Sequence, residues 1–167
     1  AEPSANTPES THVITVHAAE EASQKRHLKY DNAGEEHYNQ ISALHKSLRD
    51  SDPDGSLYWL ARMLAAGEDP LYIARRLIRF ASEDVGIADP QAISIAINCR
   101  DAYHIMGSPE GELALVQATV YLATAPKSNA IYNAYNDVMM DIKKTGSLPV
   151  PLNIRNAPTR LMRDLDY

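Results

Sequence analysis

Residues 113–125, LALVQATVYLATA, contain no charged side chain. The run falls short of the roughly 20 apolar residues that cross a bilayer. It is bounded by helix punctuation, SPEG before it and a proline after it. A helix that is apolar on every side has to be enclosed on every side. This stretch therefore demands other helices around it. A second stretch makes nearly the same demand: Leu57–Ala66, LYWLARMLAA, has Arg62 as its only charge. A domain of six or seven helices can enclose one such helix, and two is a stretch. Part of this surface is therefore expected to be covered by another copy of the chain, because obligate interfaces resemble a domain core cut in half. A compact monomer with two central helices is the alternative. Leu57, Tyr58, Trp59, Leu60 and Leu64 are expected in the core. Leu115, Val116, Tyr121 and Leu122 are expected in the core or at the interface.

The rest of the chain supplies the surrounding helices. From Gly34 onward, helical segments follow one another without strand-like alternation, so the fold class is all-α. GEEHYNQISALHKSLRD places Tyr38, Ile41, Leu44 and Leu48 on one face. SDPDGSLYWLARMLAAG is expected to be capped by Asp54 or Ser56 and stopped by Gly67. Next come GEDPLYIARRLIRFASEDVG, ADPQAISIAINCRDAYHIMG, SPEGELALVQATVYLATAP and KSNAIYNAYNDVMMDIKKTG. Asp-Pro or Ser-Pro starts and glycine stops punctuate the series. The tail, SLPVPLNIRNAPTRLMRDLDY, begins extended and closes with a short helix from Pro158. Before Gly34 the chain offers a polar leader, a β-like run at residues 13–15, one helix capped by Thr15, and the linker HLKYDNAG. That is too little to bury a core. We read 1–33 as a leader and the edge of a preceding domain, and 34–167 as the helical domain.

The 167 residues are 44% hydrophobic with a net charge of -6, a balance that argues against a dedicated polybasic nucleic-acid binder. Yet Arg75, Arg76 and Arg79 lie within five positions of one helix. Wound at about 100° per residue, its apolar set is Leu71, Ile73, Ala74, Leu77, Ile78, Phe80, Ala81 and Val85. Tyr72, the three arginines, Ser82 and Glu83 share the other side. Asp69 caps this helix and Asp89 the next. Arg79 and Glu83 are four apart and can pair. The stripe is a solvated face, a nucleic-acid contact, or a pairing surface for another chain.

No constellation carries catalysis. TAPKSNA holds a Lys-Ser pair but none of the glycines of a phosphate loop, GxxxxGK[ST], so Ser128 or Asn129 reads as a helix cap. The six histidines show no metal-ligand spacing. Glu83 and Asp84 are adjacent, hence about 100° apart on a helix, and do not form an acid–base pair. The single cysteine, Cys99, sits among apolar residues and reads as a buried structural thiol.

Taken in order, HYNQISALHKSLRDSDPDGSLYWLARMLAAGEDPLYIARRLIRFASEDVGIADPQA (37–92), GSPEGELALVQATVYLATAPKSNAIYNAY (107–135) and VPLNIRNAPTRLM (150–162) strongly resemble the C-terminal half of the RarA/MgsA family. These are AAA+ ATPases of replication-associated recombination, whose eukaryotic relatives bind the Werner helicase. The leading ITVHAAEEASQKR is similar to the end of the family's ATPase lid. The resemblance implies a fold like the helical collar of clamp-loader subunits, serving as an oligomerisation domain behind a lid remnant. It implies a homotetramer. It also implies that ATP and magnesium belong to an N-terminal ATPase module, with no catalytic, cofactor or metal residue in this part. The parent would be a DNA-dependent ATPase of stalled forks, cytoplasmic and not membrane-bound, meeting fork DNA and replication proteins. The family pattern continues into a Gly/Tyr-rich tail where this sequence reads DLDY. Under this resemblance, Arg75, Arg76 and Arg79 are expected to meet Glu83, Asp84 or Glu68 of a neighbouring helix at a subunit boundary. The alternative is a docking face for DNA or replication partners through the same arginines.

Overall fold

The computed structural model describes residue 16, residues 35–156 and residues 158–164. Val16 is helical; the expected run at 13–15, its cap Thr15 and the linker after them lie outside the described residues. The helices are α1 (Glu35–Arg49), α2 (Pro53–Ala65), α3 (Pro70–Phe80), α4 (Gln91–Met106), α5 (Glu112–Thr124), α6 (Ala130–Thr145) and α7 (Arg160–Asp164). Helix α3 runs on into a π turn, Ala81–Val85, and a 3₁₀ turn, Gly86–Ala88; a second 3₁₀ turn is Leu152–Ile154. Every regular element among the described residues is helical.

One device starts three of these helices. Asp69 and Asp89 each accept from the backbone N–H two residues on, at 2.9 and 3.0 Å, with proline between. Asp52 does the same for Gly55, at 2.9 Å. This corrects the expected cap of α2: neither Asp54 nor Ser56 serves. Proline fills the first position without needing a partner, and the aspartate before it is free to accept. Ser56 is instead fully buried, its hydroxyl donating to the Asp52 carbonyl at 2.7 Å.

Helix α5 sits at the centre and touches α1, α2, α3 and α4. Ala114, Leu115, Ala118, Thr119, Leu122 and Ala123 are buried. The alanines let neighbouring helices approach closely. The buried hydroxyl of α5, that of Thr119, donates to the Leu115 carbonyl at 2.9 Å, the back-bond that satisfies a threonine inside a helix. The chain thus covers one side of its uncharged helix, while Leu113 stays 71% exposed and Val116, Val120 and Tyr121 are half-buried.

Helix α2 is less enclosed than its composition implies. Leu60 and Met63 are buried, while Leu57, Trp59 and Leu64 are half-buried against the core. Tyr58 is 58% exposed, so its expected place in the core is corrected. Its ring meets Trp59 edge-on. The Arg62 guanidinium lies 5.3 Å from the Trp59 ring centre and pairs with Glu36. The arginine's stem and the tyrosine thus cover what patterning left to a partner.

On α1 the buried face is His37, Gln40, Ile41, Leu44, His45 and Leu48, and Tyr38 is exposed. The inward rotation becomes tolerable because buried polar groups find partners. His37 Nδ1 lies 2.5 Å from Glu68 Oε2, and Gln40 donates to Glu36 at 3.0 Å. Gln40 Oε1 and His45 are the exceptions on this face. His45 is buried edge-on against Phe80, and its Nε2 has no hydrogen-bond partner. Burial, then the positive charges of Arg76 and Arg49, push its pKa down to about 4, against a weaker pull from Asp84.

Leu115→Ala is expected to lower the unfolding free energy by about 3 kcal/mol, within the range for core leucines; Tyr58→Ala should cost less than about 1 kcal/mol. Urea unfolding followed by Trp59 fluorescence measures both. His45 supplies a pH dependence. Its folded pKa lies below the ordinary 6.5, so the native state binds fewer protons than the unfolded chain between those values. Its favourable contribution is complete above pH 6.5 and is lost as pH falls toward 4. The loss is on the order of 3 kcal/mol, from about 1.4 kcal/mol per unit. His45→Leu should flatten that part of the stability–pH curve, measured by unfolding at half-unit intervals.

Candidate interaction surface

Helix α3 buries Ile73, Ala74, Leu77 and Phe80 and turns its arginines outward. The three arginines differ in what they meet. Arg79 Nε donates to Glu83 Oε2 at 2.6 Å, and Nη2 reaches Oε1 at 3.4 Å. That pair spans the passage from α-helix into the π turn. It holds the Glu83 carboxyl below the usual range. Arg75 is exposed, its guanidinium 5.3 Å from the Tyr72 ring centre. Arg76 is partly buried, with its Nε unpartnered.

The acids expected for a neighbour are committed within the chain. Glu83 belongs to Arg79. Asp84 is taken by Arg49 at the end of α1, at 2.7 Å from Nε and 3.4 Å from Nη2. Glu68 faces His37 and also accepts from the Asp69 backbone N–H at 3.0 Å. Arg49 and His37 were invisible as partners in the sequence, because they lie 35 and 31 positions from the carboxylates they meet.

Two shallow grooves run along this side and share Ile78. The first, about 390 Å³, lies between α3 and α4 and is lined by Leu71, Arg75, Ile78, Arg100, Asp101 and His104. The second, about 430 Å³, reaches the foot of α6, where Ile131, Tyr132 and Tyr135 face Ile78, Ile93 and the Arg79–Glu83 pair. Arg100 is paired with Asp101 at 2.6 Å.

The residues expected in the core or at an interface divide between full and partial burial. Leu115 and Leu122 are fully buried, and Val116 and Tyr121 half-buried. Of the two places expected for them, Leu115 and Leu122 take the core, packed against α1–α4. Tyr121 donates to Asp89 at 2.5 Å, tying α5 to the cap of α4. Helix α6 buries none of its 16 residues. Ile131, Tyr132, Tyr135, Val138, Met139, Met140 and Ile142 are each between 37% and 64% exposed. Residues 131, 135, 138 and 142 follow the i, i+4, i+7, i+11 spacing of one helix face, with Tyr132 and Met139 beside them. The tail adds exposed Leu148, Val150, Leu152, Ile154 and Leu161. The signal that would have found α6 is this spacing. Searching for uncharged helices instead finds the most enclosed one.

The Lys-Ser pair of TAPKSNA is structural. Lys127 caps the carbonyls at the end of α5, and Ser128 Oγ accepts from the Ala130 N–H at 3.4 Å. Asn129 flanks α6 without a side-chain cap bond. Cys99 is buried, and burial raises its thiol pKa. Among the described residues no helix is long and apolar enough to cross a membrane.

Comparison with known proteins supplies a frame for this surface. Residues 50–167 match the family described as MgsA AAA+ ATPase C terminal, and residues 1–49 match the family described as AAA C-terminal domain. The chain is similar to Replication-associated recombination protein A of Coxiella burnetii, 58% identical over 139 residues, covering 83% of this chain and 32% of that protein. It is 50% identical over 147 residues to the Escherichia coli protein of the same name, covering 88% and 33%. It is 46% identical over 144 residues to ATPase WRNIP1 of Dictyostelium discoideum, covering 86% and 16%. The chain spans about a third of the length of the two bacterial relatives.

Proposed function

The chain belongs to the family of MgsA AAA+ ATPase C-terminal domains, and from that premise we propose that it is the assembly module of a AAA+ ATPase acting in replication-associated recombination. Residues 34–167 join copies of the chain into a homotetramer and do not hydrolyse ATP. ATP and magnesium are held by the part of the protein that corresponds to the remaining length of the relatives, and residues 1–33 comprise a leader and the edge of its lid. The whole protein works in the cytoplasm on fork DNA and with replication proteins. The names of the bacterial relatives support the process. The number four comes from family resemblance.

One observation carries the assembly reading. Helix α6 presents a continuous apolar face while burying nothing among the described residues. Contiguous exposed apolar patches of this kind mark interaction sites. A self-complementary helix face can be repeated around closed symmetry.

A second reading rests on Arg75. Among the described residues it has no carboxylate partner, and it faces Arg100 and His104 across the α3–α4 groove. That edge would dock DNA or a replication partner through Arg75, Arg76 and Arg79.

Light scattering on a sizing column, over a wide concentration range, separates the two. The assembly reading expects the mass of four chains, and a monomer with unchanged helix content for Val138→Asp combined with Ile142→Asp. A wild-type monomer at every concentration would overturn it. The docking reading expects forked DNA to bind in low salt, more weakly as salt rises, and more weakly again with Arg75→Ala.

A further inference from the structure

The backbone leaves α5 at Ala125, which is extended (φ -65°, ψ 149°), as a residue before proline prefers. Helix α6 starts at Ala130. Packing alone gives α6 little direction, because it buries no residue and its main backbone contact is with the Gly86–Ala88 turn. The linker before it makes several contacts of its own.

Lys127 is the centre of them. An ammonium carries three protons, and Nζ has three acceptors: the Ala123 carbonyl at 2.6 Å, the Ala125 carbonyl at 2.7 Å and Ser51 Oγ at 3.0 Å. The first two lie at the end of α5, where helix carbonyls lack partners. The third is in the α1–α2 turn, where Ser51 adopts φ +57°, a conformation uncommon outside glycine. One residue on, the Ser128 N–H donates to the Asp84 carbonyl at 2.7 Å, in the residue whose carboxylate Arg49 holds. Gly86, at φ +54°, comes so close that a Cβ would lie 3.0 Å from the Ser128 carbonyl oxygen.

We propose that Lys127 is a positioning residue: its three-legged contact sets the direction in which α6 leaves the helical body. A lysine that only capped α5 would need the two α5 carbonyls. The leg to Ser51 joins the linker to a different element, and that fixes an angle. The aim of α6 belongs to a single chain. Where the stripe meets a second copy, as the assembly reading has it, the same aim sets the angle between copies.

Spin labels at two exposed positions, Ala61→Cys on α2 and Asp141→Cys on α6, test this in a Cys99→Ala background. Dilution into unlabelled protein confines the double electron–electron resonance signal to pairs within one chain. The expected result is one narrow distance in the parent, lost to a broad distribution in Lys127→Met while circular dichroism stays unchanged. A broad parent distribution, or a narrow one that survives Lys127→Met, overturns the proposal. If Lys127→Met does not fold, Ser51→Gly decides: it removes the third leg and suits the positive φ, and an unbroadened distance there overturns the proposal equally. Light scattering on the same samples reads association separately. A monomeric parent whose narrow distance is lost in Lys127→Met supports the positioning role while overturning the assembly reading.

Discussion

Enclosing α5 is the constraint from which the rest of the architecture follows. From Leu113 to Thr124 the helix carries no charge, and the side bearing Ala114, Leu115, Ala118, Thr119, Leu122 and Ala123 needs apolar neighbours, while Leu113 stays exposed. Helices α1, α2, α3 and α4 each provide one. Their inward faces are thereby committed, and their outward faces hold the charges. Where polar groups are caught at the joints, most are satisfied across elements: His37 with Glu68, Arg49 with Asp84, Tyr121 with Asp89. Gln40 Oε1, His45 Nε2 and Arg76 Nε have no partner. His45 and Arg76 interact at the joint of α1 and α3, where burial and positive charge keep the imidazole neutral.

Once that body is closed, α6 is left outside it. Its apolar face has no counterpart among the described residues beyond the foot, where Ile131 and two tyrosines meet Ile78 and Ile93. A closed body with an apolar arm is a suitable plan for an assembly module. The body folds on contacts of its own, and the arm is available to another chain. The junction at residues 125–130 is then the mechanically significant point, because it converts a fold into an orientation. The arginine stripe plays a smaller part than its density implies. Arg79 is neutralised by Glu83 four residues on, and an exposed pair of that kind contributes only about 0.3–0.5 kcal/mol.

Much of this was legible in the sequence, for definite reasons. Helix boundaries were readable because Asp-Pro starts and glycine stops act locally; the caps at Asp69 and Asp89 follow from spacing alone. At α2 the same rule, carried by Asp52-Pro53, prevails over Asp54 and Ser56, which lie inside the helix. The Arg79–Glu83 pair was readable because it spans one helical turn. Arg49–Asp84 and His37–Glu68 were not, since tertiary packing brings them together. Spacing puts Tyr38 on the inner face with Ile41, Leu44 and Leu48; His37 is buried there instead, because a distant carboxylate, Glu68, meets its ring. The choice between core and interface for α5 was not legible for a related reason. Absence of charge marks the helix with the most neighbours, whereas a helix awaiting a partner keeps a polar side for water, as α6 does with Asn133, Asp137 and Asp141.

The central claim is that residues around α5 form a self-sufficient body and that α6 is completed by another copy of the chain. Amide hydrogen exchange, read segment by segment over a range of protein concentrations, tests it most directly. The account predicts that α5 is strongly protected at every concentration, while α6 exchanges fast in dilute solution and slows as concentration rises. Protection of α6 equal to that of α5 in dilute solution, or fast exchange of α6 at every concentration, would contradict it.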